Sequence, residues 1–297
     1  MAKKSRHERW HFPCELFSYF ASDGLILNGL LARSRKVNKR VIINVFGMTS
    51  DFFASNRYPV FHDVLRGSDT DIFFANNRGF GSVTRFKRRN KEDVFAGTAL
   101  EKFEDCVFDI KGAMDLLASL GYKDIILQGH STGAQKVAYY QYKRRDRRVK
   151  GIILLSPSDD YNLAKRNLGR RFNKAVKLAK TMVAHRKGHL MTPAWISYYS
   201  ASRFLSYADP KNAEARLFDY EGLMREFSRI SVPVLAVFGS REQCASKSVR
   251  ECLDILKRKT GSGDYEGVIV KGGDHSFRRR EEELALLIAG WSSRVCP

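Results

Sequence analysis

Apolar residues fall along this 297-residue chain in two alternating rhythms. Short unbroken runs recur at 40–47 ("RVIINVFG"), 71–79 ("DIFFANNRG"), 124–128 ("DIILQ"), 151–156 ("GIILLS"), 232–239 ("VPVLAVFG") and 265–272 ("YEGVIVKG"). Runs of that length, bounded by glycine and polar residues, predict strands buried on both faces. Between them the spacing turns helical. In 96–120, Leu100, Phe103, Val107, Ile110, Met114 and Leu117 fall on one face and Gly121 supplies a stop. Further helices are predicted between 47 and 71, from Thr132, over 246–259 and, amphipathically, over 279–293. The stretch 14–33 reads as two strands around Ser22-Asp23-Gly24, an antiparallel opening hairpin. Strands alternating with helices predict an α/β fold with a mainly parallel sheet. The rhythm breaks over 160–227, which is helical, polar and aromatic without a buried strand. The expected organisation is therefore a core of residues 1–158 and 229–297 with a helical cap, 159–228, inserted above the sheet. Internal repeats and low-complexity linkers are absent from the sequence.

Composition narrows this picture. Hydrophobic residues make up 43% and charged residues 28%, as in a globular protein able to bury a large core. No apolar run could cross a bilayer, and the basic opening "MAKKSRHERWHF" leads into no apolar segment of a secretory signal. Five cysteines, scattered and without CxxC spacing, favour reduced thiols over a disulfide framework or a zinc site, hence a cytoplasmic protein. The formal charge of +20 would attract anions, acidic partners or nucleic acid. Its basic residues are dispersed, however, and no nucleic-acid-binding motif accompanies them, which favours a solvated basic surface.

Candidate chemistry centres on Gly129-His130-Ser131-Thr132-Gly133, a G-x-S-x-G sequence between a predicted strand and a predicted helix. At such a corner the glycines leave room for a tight turn, so the serine hydroxyl projects from the sheet edge. The helix beyond aims its amides and positive dipole end at the same point. A serine needs a base, which a third group orients. The order expected in this context is serine, acid, histidine. Of the histidines after Ser131, His185 and His189 fall in the basic cap stretch "AHRKGHL", whereas His275 follows the last predicted strand and is the expected base. Glu242, after the strand 232–239, is the leading acid; Asp159 or Asp160, after 151–156, remains the alternative. Asp274 is too close to His275 to orient it. An oxyanion hole would use the amides of Thr132 and of Met48, which follows Gly47.

These residues carry a resemblance. The chain resembles an α/β-hydrolase-fold serine hydrolase over essentially its whole length. "FSYFASDGLILNGLL" is similar to that fold's opening hairpin, "FGM" stands in the place of its common His-Gly-x, and "NNRGFG" at 76–81 resembles its Asp/Asn-x-Arg-Gly-x-Gly loop. The elbow "GHSTGAQ", the cap stretch "ISYYSASRFLSYADPKNAEARLFDY" and "GGDHSF" are closer to a branch of esterases that includes fungal siderophore (fusarinine-type) esterases. Phe46, Glu242 and Lys136 depart from the usual pattern, where a histidine, an aspartate and an acidic residue are commoner.

The resemblance and the residues together imply cleavage of a small-molecule carboxylic ester or related acyl bond through an acyl-enzyme, with no metal or organic cofactor. Two further readings stay open: acyl transfer or thioester cleavage on the same fold, and a non-catalytic basic protein that binds nucleic acid or an acidic partner. Trp195, Tyr198, Tyr199, Phe204, Tyr207 and Tyr220 would wall the site or, for most of them, simply pack cap against sheet.

Overall fold

The structure is a computed structural model that describes residues 13–36, 38–53 and 57–296; the basic opening stretch 1–12 lies outside the described residues. The chain begins with β1 (Glu15–Phe20) and β2 (Ile26–Ala32), antiparallel partners joined through Asp23 and Gly24. Then come β3 (Arg40–Val45), α1 (Arg57–Leu65) and β4 (Asp71–Ala75), followed by a two-stranded hairpin of β5 (Thr84–Arg88) and β6 (Lys91–Ala96). Helix α2 (Cys106–Ser119) leads to β7 (Asp124–His130), α3 (Thr132–Arg144) and β8 (Val149–Leu155). Between β8 and the next strand of the main sheet the chain forms α4 (Asp160–Leu168), α5 (Phe172–Ala184), the short pair β9 (Met191–Thr192) and β10 (Tyr199–Ser200), α6 (Ala201–Ala208) and α7 (Ala213–Leu217). The chain returns to the sheet as β11 (Val234–Arg241), α8 (Val249–Lys259), β12 (Tyr265–Asp274) and α9 (Glu281–Val295).

The main sheet runs in the order β1-β2-β4-β3-β7-β8-β11-β12. Its first two pairings are antiparallel and the rest parallel. Because the central strands are covered on both faces, β3, β4, β7 and β8 read as continuous apolar runs rather than alternating ones. One face packs α2, α3 and α8 through residues such as Phe103, Met114, Val137 and Leu256; the other packs α1 and α9 through Phe61, Phe74, Ile288 and Trp291. Parallel strands place their carboxyl ends along one edge, where loops from different parts of the chain converge.

Two expectations need correction, and one hairpin has no counterpart in the sequence reading. The helix expected over 96–120 begins only at Cys106. Residues 97–105 are instead a turn and a short 3-10 segment, because Gly97, at φ 95°, turns the chain where the β5–β6 hairpin ends. That hairpin escaped detection because its strands "TRFKR" and "KEDVFA" are mostly exposed and carry almost no apolar alternation. The strand expected over 71–79 ends at Ala75, and 76–81 is loop.

The loop is rigid through Arg78. Its buried guanidinium bonds Asp109 at 2.7 Å, Asp105 at 3.1 Å and Asp23 at 3.1 Å, tying the hairpin turn to α2. Between β8 and β11, Ala164, Phe172, Ala179, Trp195 and Phe204 form their own apolar cluster, whereas Leu217, Tyr220 and Phe227 join the main core.

Candidate active site

Ser131 occupies the corner between β7 and α3 with φ 56° and ψ −127°. A non-glycine residue held there stores roughly 1–3 kcal/mol of backbone strain. The corner is pinned by Ser131 N donating to Leu155 O at 2.9 Å. Its tightness explains the flanking glycines: a Cβ at Gly129 would fall 2.1 Å from Gly133 O, and one at Gly133 would fall 2.2 Å from Val45 O. The serine is thereby lifted to the carboxyl edge of the sheet, at the N-terminus of α3.

On the same edge β12 runs to Asp274 and delivers His275. The segment after β11 wraps around that ring. His275 Nδ1 bonds Glu242 Oε1 at 2.7 Å, and the His275 amide donates to Gln243 Oε1 at 3.0 Å. Cys244 N donates to the same Glu242 oxygen at 2.8 Å. From the other side His130 Nε2 donates to His275 O at 2.7 Å, with ring centroids 4.9 Å apart. Burial would push the His275 pKa down, but hydrogen bonds and charge from Cys244 and Glu242 outweigh it and raise it to about 9. Burial would likewise push the Glu242 carboxyl up, yet His275, with lesser help from Ser156 and the Cys244 amide, holds it below the usual range.

Ser131 and His275 line one cavity of about 330 Å³, together with Met48, Thr132, Cys244, Tyr199 and Tyr207. Among the described residues no hydrogen bond joins the serine hydroxyl to the ring. Such contacts commonly tighten only with substrate bound. A larger hollow of about 550 Å³ around Tyr142, Arg216 and Arg229 has no serine, cysteine, threonine or histidine in its lining.

Gly47 brings the Met48 segment against the elbow: a Cβ there would sit 3.2 Å from Ser131 Cβ and 3.5 Å from Thr132 N. Side chains hold this segment at both ends. Asn77 Nδ2 donates to Phe46 O at 3.1 Å, and Thr98 Oγ1 accepts from Thr49 N at 2.6 Å while donating to Gly79 O at 2.7 Å. Lys136 is wholly buried beneath them, its Nζ donating to Asn77 Oδ1 at 2.9 Å and Glu101 Oε2 at 2.7 Å. The unusual lysine thus has a built-in counter-ion. Tyr199, in β10, donates its hydroxyl to Met48 Sδ at 3.5 Å.

The remaining candidates lie elsewhere. Asp159 caps α4, accepting from Asn162 N at 3.1 Å and Ser246 Oγ at 2.6 Å. Asp160 lines the cavity but is bonded to Ser158 Oγ. Asp274 bonds Arg278 at 2.7 Å, and His185 and His189 are exposed. Of the aromatic residues, Trp195 stacks on Phe204 with centroids 4.5 Å apart and Tyr220 is buried, so these are packing; Tyr198 is exposed, and Tyr199 and Tyr207 face the cavity. Sequence reading missed Asn77, Thr98 and Cys244. Asn77 sits in the quoted "NNRGFG" loop, but Thr98 and Cys244 carry no local signal.

A family described as "Protein of unknown function (DUF1749)" matches residues 100–289. The chain belongs to this family. No curated protein matches the sequence significantly. Among solved structures, the DUF1749 chain is similar to the siderophore hydrolase EstB from Aspergillus fumigatus, with TM-score 0.71, 16% identity, and 97% of this chain and 99% of that one covered. It is also similar to Est1E from Butyrivibrio proteoclasticus, with TM-score 0.61, 16% identity and coverage of 93% and 97%. Carboxylesterase CesB from Bacillus subtilis matches with TM-score 0.58, 17% identity and coverage of 97% and 93%. The fold is the α/β-hydrolase fold. Among the described residues no helix is long and apolar enough to cross a membrane.

Proposed function

We propose that this protein is a serine hydrolase that cleaves a carboxylic ester through an acyl-enzyme. The observation that carries the reading is the 2.7 Å bond between Glu242 and His275 in a cavity that Ser131 also lines, with the serine held at a strained elbow. In this mechanism Ser131 Oγ attacks the ester carbonyl as His275 Nε2 takes its proton. Glu242 keeps Nδ1 protonated, so that Nε2 presents its lone pair to the serine. The amides of Met48 and Thr132 receive the negative charge that develops on the carbonyl oxygen. The tetrahedral intermediate expels the alcohol, which takes the proton from His275, and water then repeats the sequence to release the acid. The esterases among the structural neighbours support an ester over other acyl bonds. A cavity of about 330 Å³ lies at the small end of the roughly 300–1,000 Å³ usual for ligand sites, which suits an ester with one compact half.

The test is labelling by a fluorophosphonate probe and hydrolysis of short-chain p-nitrophenyl esters. The parent protein is expected to be labelled and active, and Ser131→Ala to lose both while keeping the same circular dichroism spectrum and thermal midpoint. Labelling that survives in Ser131→Ala would put the nucleophile elsewhere.

A further inference from the structure

The loop that orients His275 also carries a thiol. Glu242, Gln243 and Cys244 each contact the His275 region, so that a carboxylate oxygen of Glu242, the sulfur of Cys244 and a ring nitrogen of His275 all lie within 4.8 Å of one another. No other three side chains of histidine, cysteine or carboxylate type do so among the described residues. Cys244 and His275 both line the cavity, which leaves a position open on that side. The Glu242 side chain behind them is almost wholly buried, so its carboxylate is fixed rather than free to swing into solvent.

One nitrogen, one sulfur and one oxygen make a donor set suited to zinc, and three protein ligands with an open fourth position are a recurrent zinc arrangement. At metal–ligand lengths of about 2.0–2.3 Å, tetrahedral donor atoms sit roughly 3.3–3.7 Å apart. Donors already within 4.8 Å need only small rotations to reach that spacing.

We propose that Glu242, Cys244 and His275 form a zinc site, and that zinc bound there switches the protein off. Binding to the neutral ring releases the thiol proton and moves the proton that Nδ1 shares with Glu242 through solvent to Nε2, and the three lone pairs go to the metal. With Nδ1 on zinc, the ring carries its remaining proton on Nε2. That nitrogen is then a donor only and cannot take the proton of Ser131. Metal binding is independent of the catalytic reading above; the loss of activity rests on it.

The experiment starts from protein stripped by a chelator. Zinc affinity is read by competition with a chromophoric zinc chelator, and cobalt is substituted to look for thiolate-to-metal charge-transfer absorption. Losing an outer-shell partner costs about 10–100-fold in metal affinity, so losing a ligand outright should cost at least about 100-fold. One strong site is expected in the parent, in Ser131→Ala and in Cys14→Ser, which removes an exposed thiol outside the site. Cys244→Ala and His275→Ala should weaken it by that factor, and the cobalt band should vanish in Cys244→Ala. Zinc in slight excess should abolish ester hydrolysis by the parent and a chelator should restore it; Cys244→Ala, measured against its own zinc-free rate, should keep most of its activity. Equal zinc affinity in the parent and Cys244→Ala, the absence of any strong site, or stimulation by zinc would overturn the proposal. Cys244-dependent zinc binding in a protein that hydrolyses no ester would leave the metal site standing and sink the catalytic reading instead.

Discussion

His275 is the side chain on which the proposed chemistry turns, and its surroundings make a pH prediction. Only the neutral ring can accept the serine proton, whereas Cys244 and Glu242 both favour the charged ring, raising its pKa from 6.5 to about 9. Lowering the pH therefore protonates the base and removes activity. In chelator-treated protein, kcat/KM for a p-nitrophenyl ester is expected to rise along a limb displaced above 6.5 towards 9, and that limb should move down in Cys244→Ala. A limb at or below 6.5 in the parent would mean that the ring is not held this way. Ser131 and His275 could be proposed from the chain because a motif and a chain order point to them, whereas Glu242 stayed one of three acidic candidates. Cys244 could not, because what gives it meaning is a ring 31 positions away.

Among elements, the elbow and the segment ending at Thr49 have to be held in register. The elbow is locally encoded by its glycines; the opposing segment is not. It depends on Thr98, in the turn that the sequence mistook for the first part of a helix. Thr98→Val removes the acceptor for the Thr49 amide and the donor to Gly79 O. Displacing a catalytic group by about 1 Å can cost about 10²-fold. Thr98→Val is accordingly expected to lower kcat by about 10- to 100-fold with little change in KM, and Thr98→Ser to restore most of it. A loss confined to KM, or no rescue by serine, would remove the positioning role. The apolar periodicity over 107–117 was right about a helix and blind to its start, because Leu100 and Phe103 keep helical spacing by chance while Gly97 turns the chain.

At the scale of the molecule, a buried ionic network joins the helices between β8 and β11 to α3 and the turn after β6. Arg203 in α6 bonds Glu214 in α7 at 2.8 Å and Thr98 O at 3.1 Å, and lies 3.6 Å from Glu101, which in turn holds Lys136 in α3. The Arg203 and Glu214 side chains have no exposed surface, so removing one partner strands a buried charge. Breaking such a pair costs about 3–5 kcal/mol, whereas replacing both partners with apolar groups is often close to neutral. Urea unfolding of Arg203→Met should show a loss of about 3–5 kcal/mol, with much of it recovered when Glu214→Leu is added. An unchanged midpoint in Arg203→Met would mean that the network does not hold these helices in place. Charge composition announced a basic protein, but nothing in it marked which few ions are buried.

The chain by itself determined the alternation of strands and helices, the parallel core and the sharp corner at Ser131, because each arises from periodicity or turn chemistry within a few neighbouring residues. Tertiary structure alone decided that Glu242 rather than Asp159 meets the ring, that Lys136 is neutralised by Glu101, and that a thiol stands beside His275. Those outcomes depend on which distant loops share the carboxyl edge of the sheet, and no local spacing records that closure.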